Sequence, residues 1–186
     1  MAKFLIFRTD RIGDFITSQL VTNSISEVSK KNQVDVVASR YNSKYIKNFK
    51  YINRIFIFDK TQNKILDFFN LFLQIKNKNY DYLIVLDGKR RSFLSGIFIN
   101  SKIKICFLKD FYPKFLISLF YHKYIKNTET NTQFKNFQIL INYLDIKSPK
   151  NINYYKNYKF IKNKFKLRKP YVHLHLDEKW FKDYYF

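Results

Sequence analysis

The sequence predicts an α/β domain built on a mostly parallel sheet. Short apolar runs recur along the chain, and segments with apolar residues at helical spacing separate them. The runs are nearly continuous rather than alternating, which is the pattern of strands covered on both faces. The first such unit, Lys3 to Leu20, reads as strand, tight polar loop and helix, the opening of a βαβ arrangement.

Phe4–Leu5–Ile6–Phe7 is the first strand, Arg8 to Gly13 the loop, and Phe15, Ile16, Gln19, Leu20 and Asn23 mark one side of a helix. Gln33 to Ala38 reads as strand two, Asn42 to Phe49 as a short helix and Arg54 to Phe58 as strand three, closed by Asp59. Asn63 to Ile75 is so densely apolar from Ile65 onward that it predicts a well-covered helix. Tyr82 to Leu86 is strand four, ended by Asp87-Gly88, and Arg91 to Ile99 is the next helix. Lys102 to Leu108 is strand five. Phe115 to Tyr124 reads as helical, and Phe134 to Leu144 as an amphipathic helix entered from a polar loop. Pro170 then precedes Tyr171 to Leu176, which alternates as a strand does, with a helix expected from Asp177. Residues 1–146 are therefore expected to form one domain, 147–169 a basic linker, and 170–186 the start of a second unit.

A length of 186 residues accommodates one good-sized domain. The formal charge is +21, which by itself points to a polyanionic partner. That signal is diluted by composition. Lys, Asn, Ile, Phe and Tyr fill more than half of the positions, as A/T-rich codon usage produces without any functional demand. Tyr and Phe interleaved with Lys between 154 and 166 have the same cheaper origin, so nucleic-acid binding is not favoured. The single cysteine, Cys106, permits no internal disulfide and reads as a core filler, which makes a reducing compartment the default. No signal peptide is visible, and no apolar segment reaches the roughly 20 residues of a membrane span. The expected location is cytosolic, with contact to a membrane left open.

The candidate site residues lie where strands run into helices. In parallel sheets ligands bind beyond the carboxyl ends of the strands, beside helix N-termini. Gly13 and Asp14 sit at such a junction, and Gly13 is one of only three glycines. So scarce a residue there is expected to serve a special backbone conformation or a close approach. Asp14 has two readings, a helix cap or a catalytic carboxylate over the sheet edge. Asp10 and Arg11 line the same loop, as a loop salt bridge or as ligand contacts. Asp87, Lys89, Arg90 and Arg91 follow strand four at the same edge; such cations can hold phosphates or simply be a solvated charge run. His122, His173 and His175 show no metal-ligand spacing, and neither phosphate-loop nor dinucleotide fingerprints occur.

The segment RTDRIGDFITSQLVTNSI resembles the opening of glycosyltransferase family 9, the heptosyltransferase family of lipopolysaccharide synthesis, whose members carry a segment close to R-x-D-x-I-G-D after the first strand. QVDVVASRYNSKYIKNFKYINRIFIFDK resembles that family's second strand, helix and third strand. YDYLIVLDGKRRSFLSGIFINSKIKICF resembles its fourth strand, D-x-x-x-R-S segment and fifth strand. The resemblance implies a GT-B fold, two Rossmann-like domains facing across a cleft, with the second domain truncated in this chain. It implies transfer of a sugar from a nucleotide-sugar donor to a lipopolysaccharide-core or similar glycan acceptor, without a cofactor or metal, at the cytosolic face of the inner membrane. Asp14 would be the general base. Asp10, Arg11, Gly13, Asp87, Lys89, Arg90 and Arg91 would contact an anionic glycolipid acceptor, and Lys179, beside Trp180, would face the donor. The 186 residues alone would be inactive. The competing expectation is a non-catalytic α/β module that binds a polyanion or a partner protein.

Overall fold

The computed structural model describes residues 1–147, apart from 50, 60, 62, 109–113 and 127–131. Six parallel strands form one sheet: β1 (Lys3–Phe7), β2 (Gln33–Ala38), β3 (Arg54–Ile57), β4 (Tyr80–Val85), β5 (Ser101–Leu108) and β6 (Lys123–Lys126). Their order is β3-β2-β1-β4-β5-β6. The connecting helices are α1 (Ile12–Thr17), α2 (Gln19–Val28), α3 (Arg40–Ile46), α4 (Lys64–Ile75), α5 (Arg90–Phe98), α6 (Lys114–Phe120) and α7 (Gln133–Tyr143). The predicted Rossmann-like α/β domain with a parallel sheet is what the chain forms.

Strand β1 lies between β2 and β4, with Phe4 opposite Val34 on one side and Tyr82 on the other. Its alternate side chains feed two cores. Phe4 and Ile6 pack with residues of α2, α3 and α7, including Ile25, Ile46 and Leu140. Leu5 and Phe7 pack with residues of α4, α5 and α6, including Leu71, Phe93 and Ile117. This double burial explains the continuous apolar runs. The chain reverses direction of winding between β1 and β4, so the crevice at their carboxyl ends is the topological switch point, where ligands of such sheets bind.

Four elements differ from the sequence expectation. Helix α4, expected to be well covered, leaves Ile65, Leu66, Phe69 and Leu73 each more than half exposed, because only its Leu71–Ile75 side meets the sheet. The first helix is two helices, broken at Ser18, whose hydroxyl donates to the Phe15 carbonyl at 2.7 Å and competes with the helical ladder. Almost all of α2 is buried, polar residues included; the hydroxyls of Thr22, Ser24 and Ser26 return to carbonyls of their own helix, which satisfies those three groups. Finally, Phe115 to Tyr124 is not one helix. It ends at Phe120, and Lys123–Lys126 forms β6, parallel to β5 with Lys123 opposite Ile105. Of the four residues in β6 only Ile125 is buried, so this charged edge strand has no apolar run to announce it. The proposed linker and second unit, including Tyr171 to Leu176, fall outside the described residues except for Lys147.

Buried Asp35 on β2 ties the opposite end of the sheet. It accepts from the Tyr80 hydroxyl and from Asn53 Nδ2, each at 2.8 Å. Burial, and then the Asp35 charge, push the Tyr80 phenol well above its ordinary range, so it stays a donor. Burial likewise raises the Cys106 thiol, which makes it the inert core residue expected.

Candidate active site

The carboxyl end of β1 is organised by Arg8, a buried arginine that is 1% exposed. A buried guanidinium requires compensation for nearly all of its donors. Nε and Nη2 donate to the Asp14 backbone carbonyl at 3.0 and 2.8 Å, and Nη1 donates to the Leu86 carbonyl at 2.9 Å. Nε also lies 3.2 Å from Asp10 Oδ1, and Nη2 lies 3.8 Å from Asp14 Oδ1. One side chain thus grips the first turn of α1 and the end of β4 together. The sequence reading included Arg8 in a motif but assigned it no role.

Asp14 is the third residue of α1. Its Oδ2 accepts from the Arg11 amide at 3.3 Å, so it supports the helix start from the third position, with Arg11 rather than Asp14 as the cap residue. Its side chain nevertheless remains 39% exposed. One oxygen serves the helix start while the carboxylate stays partly exposed. Arg11 and Gly13 are also exposed. A Cβ at Gly13 would meet nothing within 4 Å. Of the two expectations for this glycine, the special backbone conformation is corrected, since its φ is not in the left-handed region, and no described part of the chain approaches it closely.

Asp10 is nearly enclosed, with 17% of its side chain exposed. Its backbone carbonyl accepts from Asn42 Nδ2 of α3. Burial pushes its carboxyl up to about 6; Arg8 opposes the rise, while Asp87 and Asp14 add to it. The sign of the stability effect follows. Between the ordinary value of 3.8 and about 6, the folded chain holds a proton that the unfolded chain has released. Stability contributed by Asp10 therefore falls as pH rises through that window and levels off above it. In denaturation measured from pH 4 to 7, Asp10→Asn should gain on the natural chain as pH rises, by at most about 3 kcal/mol.

Asp87 is a staple between the two loops. Its Oδ2 accepts from the Thr9 amide at 3.2 Å, the Thr9 hydroxyl at 2.6 Å and the Ser92 hydroxyl at 2.7 Å, and Oδ1 accepts from the Lys89 amide at 3.2 Å. Lys89 Nζ closes the same junction by donating to the Thr9 carbonyl at 3.0 Å. Gly88 adopts φ 59°, the left-handed turn that lets this loop reverse. Thr9 and Ser92 lie within the quoted segments but carried no assigned role: Thr9 is 78 positions from Asp87 along the chain, while Ser92 closes the D-x-x-x-R-S segment that Asp87 opens.

Arg91 points elsewhere. It donates to the carbonyls of Asp59 at 2.9 Å and Phe58 at 3.3 Å, and its guanidinium stacks 4.6 Å from the Phe58 ring. It fastens the start of α5 to the end of β3. Arg90 is exposed beside it. The structure therefore places Asp10, Arg11, Gly13, Asp14, Asp87 and Lys89 on the adjoining segments that follow β1 and β4 and turns Arg91 toward the β3 side. Lys179 lies outside the described residues. Among the described residues no cluster of His, Cys, Asp or Glu has the arrangement of a metal site.

No protein-family model matches the sequence, and no curated protein matches it. Solved structures share its fold. The glycosyl transferase family 9 protein from Veillonella parvula aligns with a TM-score of 0.67 at 15% identity, over 78% of this chain and 42% of that one. The E. coli heptosyltransferase WaaC with ADP aligns at 0.64 and 15% identity, over 80% of this chain and 49% of that one. The same enzyme with ADP-2-deoxy-2-fluoro heptose aligns at 0.64 and 15%, over 80% and 50%. The chain spans half or less of the length of these structures. At such identity the likeness is one of fold, and it falls on the family that the sequence motifs resemble.

Proposed function

We propose that the domain is the acceptor side of a glycosyltransferase of the heptosyltransferase type, with Asp14 as general base. The observation that carries this reading is the Asp14 carboxylate, 39% exposed beyond the carboxyl end of β1 while Arg8 holds its backbone. In the proposed reaction Asp14 takes the proton of an acceptor hydroxyl. That oxygen bonds to the anomeric carbon of a nucleotide sugar, and the bond to the diphosphate breaks, its electron pair leaving with the nucleotide. Preorganisation is the protein's contribution: Arg8 and the Asp87 staple fix the two loops before substrate arrives.

Arg11, Lys89 and Arg90 are the cations proposed to meet an anionic glycolipid acceptor. The donor nucleotide is proposed to sit on a second α/β domain, with Lys179 on that side. The solved heptosyltransferase structures with ADP and an ADP-heptose analogue support a nucleotide-sugar donor. Cytosolic action at the inner membrane belongs to the same proposal. The test is transfer from a nucleotide sugar to a phosphorylated glycolipid, measured for the 186-residue chain and for the whole polypeptide encoded by its gene. The expected result is turnover only where a second α/β domain is present. Turnover by the 186 residues alone would overturn the division of labour. No turnover by a two-domain product, across nucleotide heptoses and hexoses, would overturn the enzyme reading.

A further inference from the structure

Helix α4 carries two apolar faces. Leu71 and Ile75 are buried against the sheet. Ile65, Leu66, Phe69 and Leu73 form a second stripe at helical spacing, each more than half exposed. The stripe continues onto α5, where Leu94 and Phe98 are 52% and 63% exposed, and Phe68 bridges the helices by meeting the Phe98 ring edge-on at 5.5 Å. Between α4 and α5 lies an open cleft of about 490 Å³, lined mainly by apolar atoms. On α6, in the same helical layer, Phe115 and Leu119 are also about two-thirds exposed. Contiguous apolar surface of this extent marks a docking face.

The charges around the cleft select the occupant. Lys64, Arg90 and Arg91 line it, and its one acid among the described residues, Asp67, is 8% exposed and occupied by the amide and hydroxyl of Thr61. The charge presented there is positive. A second copy of this chain would bring a like-charged rim, and a formal +21, against the same surface. An anionic bilayer complements both features, because apolar side chains enter the headgroup boundary while Lys and Arg remain at the phosphates. At 12 residues, α4 is too short to cross a membrane but suits lying in its plane.

We infer that the α4–α5 face docks the domain on an anionic lipid bilayer, with Lys64 at the headgroups and the Phe69–Leu73 stripe inserted. The face borders the candidate site through α5, which begins directly after the Asp87–Lys89 loop. The inference deepens the glycolipid-acceptor reading, because it would hold the acceptor's lipid in the bilayer beside the crevice. Its test does not depend on sugar transfer, so the two can fail separately.

The full chain is mixed with sucrose-loaded vesicles of phosphatidylglycerol and phosphatidylethanolamine, or of phosphatidylcholine alone, and sedimented near physiological salt. The natural chain should pellet with the anionic vesicles and not with the neutral ones. The double variant Phe69→Ser, Leu73→Ser should lose about tenfold or more in vesicle affinity, and Lys64→Glu should weaken binding in a salt-dependent way. Circular dichroism should show all variants folded, since the altered side chains are exposed; if the double variant unfolds, Phe69→Ser alone is read in its place. Absence of binding by the natural chain would overturn the inference. So would binding that the serine variants leave unchanged, which would mean adsorption by charge elsewhere. A concentration-dependent dimer in sedimentation velocity, dissolved by Phe69→Ser and indifferent to vesicles, would assign the face to self-association instead.

Discussion

Asp14→Asn is expected to reduce sugar transfer at least a hundredfold while leaving the melting temperature nearly unchanged. General-base catalysis contributes about 10²–10⁴-fold in rate, and asparagine cannot accept the proton. It can still cap the helix, because its side-chain oxygen can accept from the Arg11 amide as Asp14 Oδ2 does at 3.3 Å. Alanine at the same position would add a capping loss of about 1 kcal/mol, so comparing Asn with Ala separates chemistry from folding. The measurement is turnover and thermal melting on the same two-domain product. Near-normal turnover for Asp14→Asn would leave Asp14 a cap and direct attention to Asp10, the other partly enclosed carboxylate of the loop.

Arg8→Met is expected to be the most destabilising single change at the site, at about 3–5 kcal/mol. Methionine fills much of the volume but returns none of the hydrogen bonds. The Leu86 carbonyl loses its guanidinium donor, the Asp14 carbonyl loses two, and Asp10 loses the cation that counters its burial. The damage should also be pH-dependent. Without the cation, ionisation of Asp10 is costlier, so destabilisation should grow from about pH 5 to 7. Arg8→Lys keeps the charge but cannot present a fork to both carbonyls, and should fall between the two. Urea denaturation at two pH values checks both statements. A loss under about 1 kcal/mol for Arg8→Met would mean that the guanidinium does not organise the crevice.

Strands β1, β2, β4 and β5 were legible in the sequence because burial on both faces writes itself as apolar runs such as Phe4–Phe7 and Leu83–Leu86. Edge strand β3 has only Phe56 buried but was legible through its apolar run Ile55–Phe58, whereas edge strand β6, Lys-Tyr-Ile-Lys, has one buried residue and no such run. The break at Ser18 was equally silent, since it arises from a hydroxyl's choice between solvent and the Phe15 carbonyl.

By itself the sequence determined the parallel α/β architecture, the placing of Gly13, Asp14, Asp87 and Lys89 at strand ends, and the resemblance to a glycosyltransferase family. Those properties depend on local period and order along the chain. Tertiary structure alone decided which of these residues share a crevice and what each is free to do. It put β1 beside β4, so that Asp87 is spent on Thr9 and Ser92, Arg91 is turned to Phe58, and buried Arg8 becomes the hub. It also left one stripe of α4 uncovered, although its composition reads as core. The physical reason is common to both. Hydrogen-bond partners and exposed faces are set by which strands and helices become neighbours, and that is a property of the packed chain rather than of any segment.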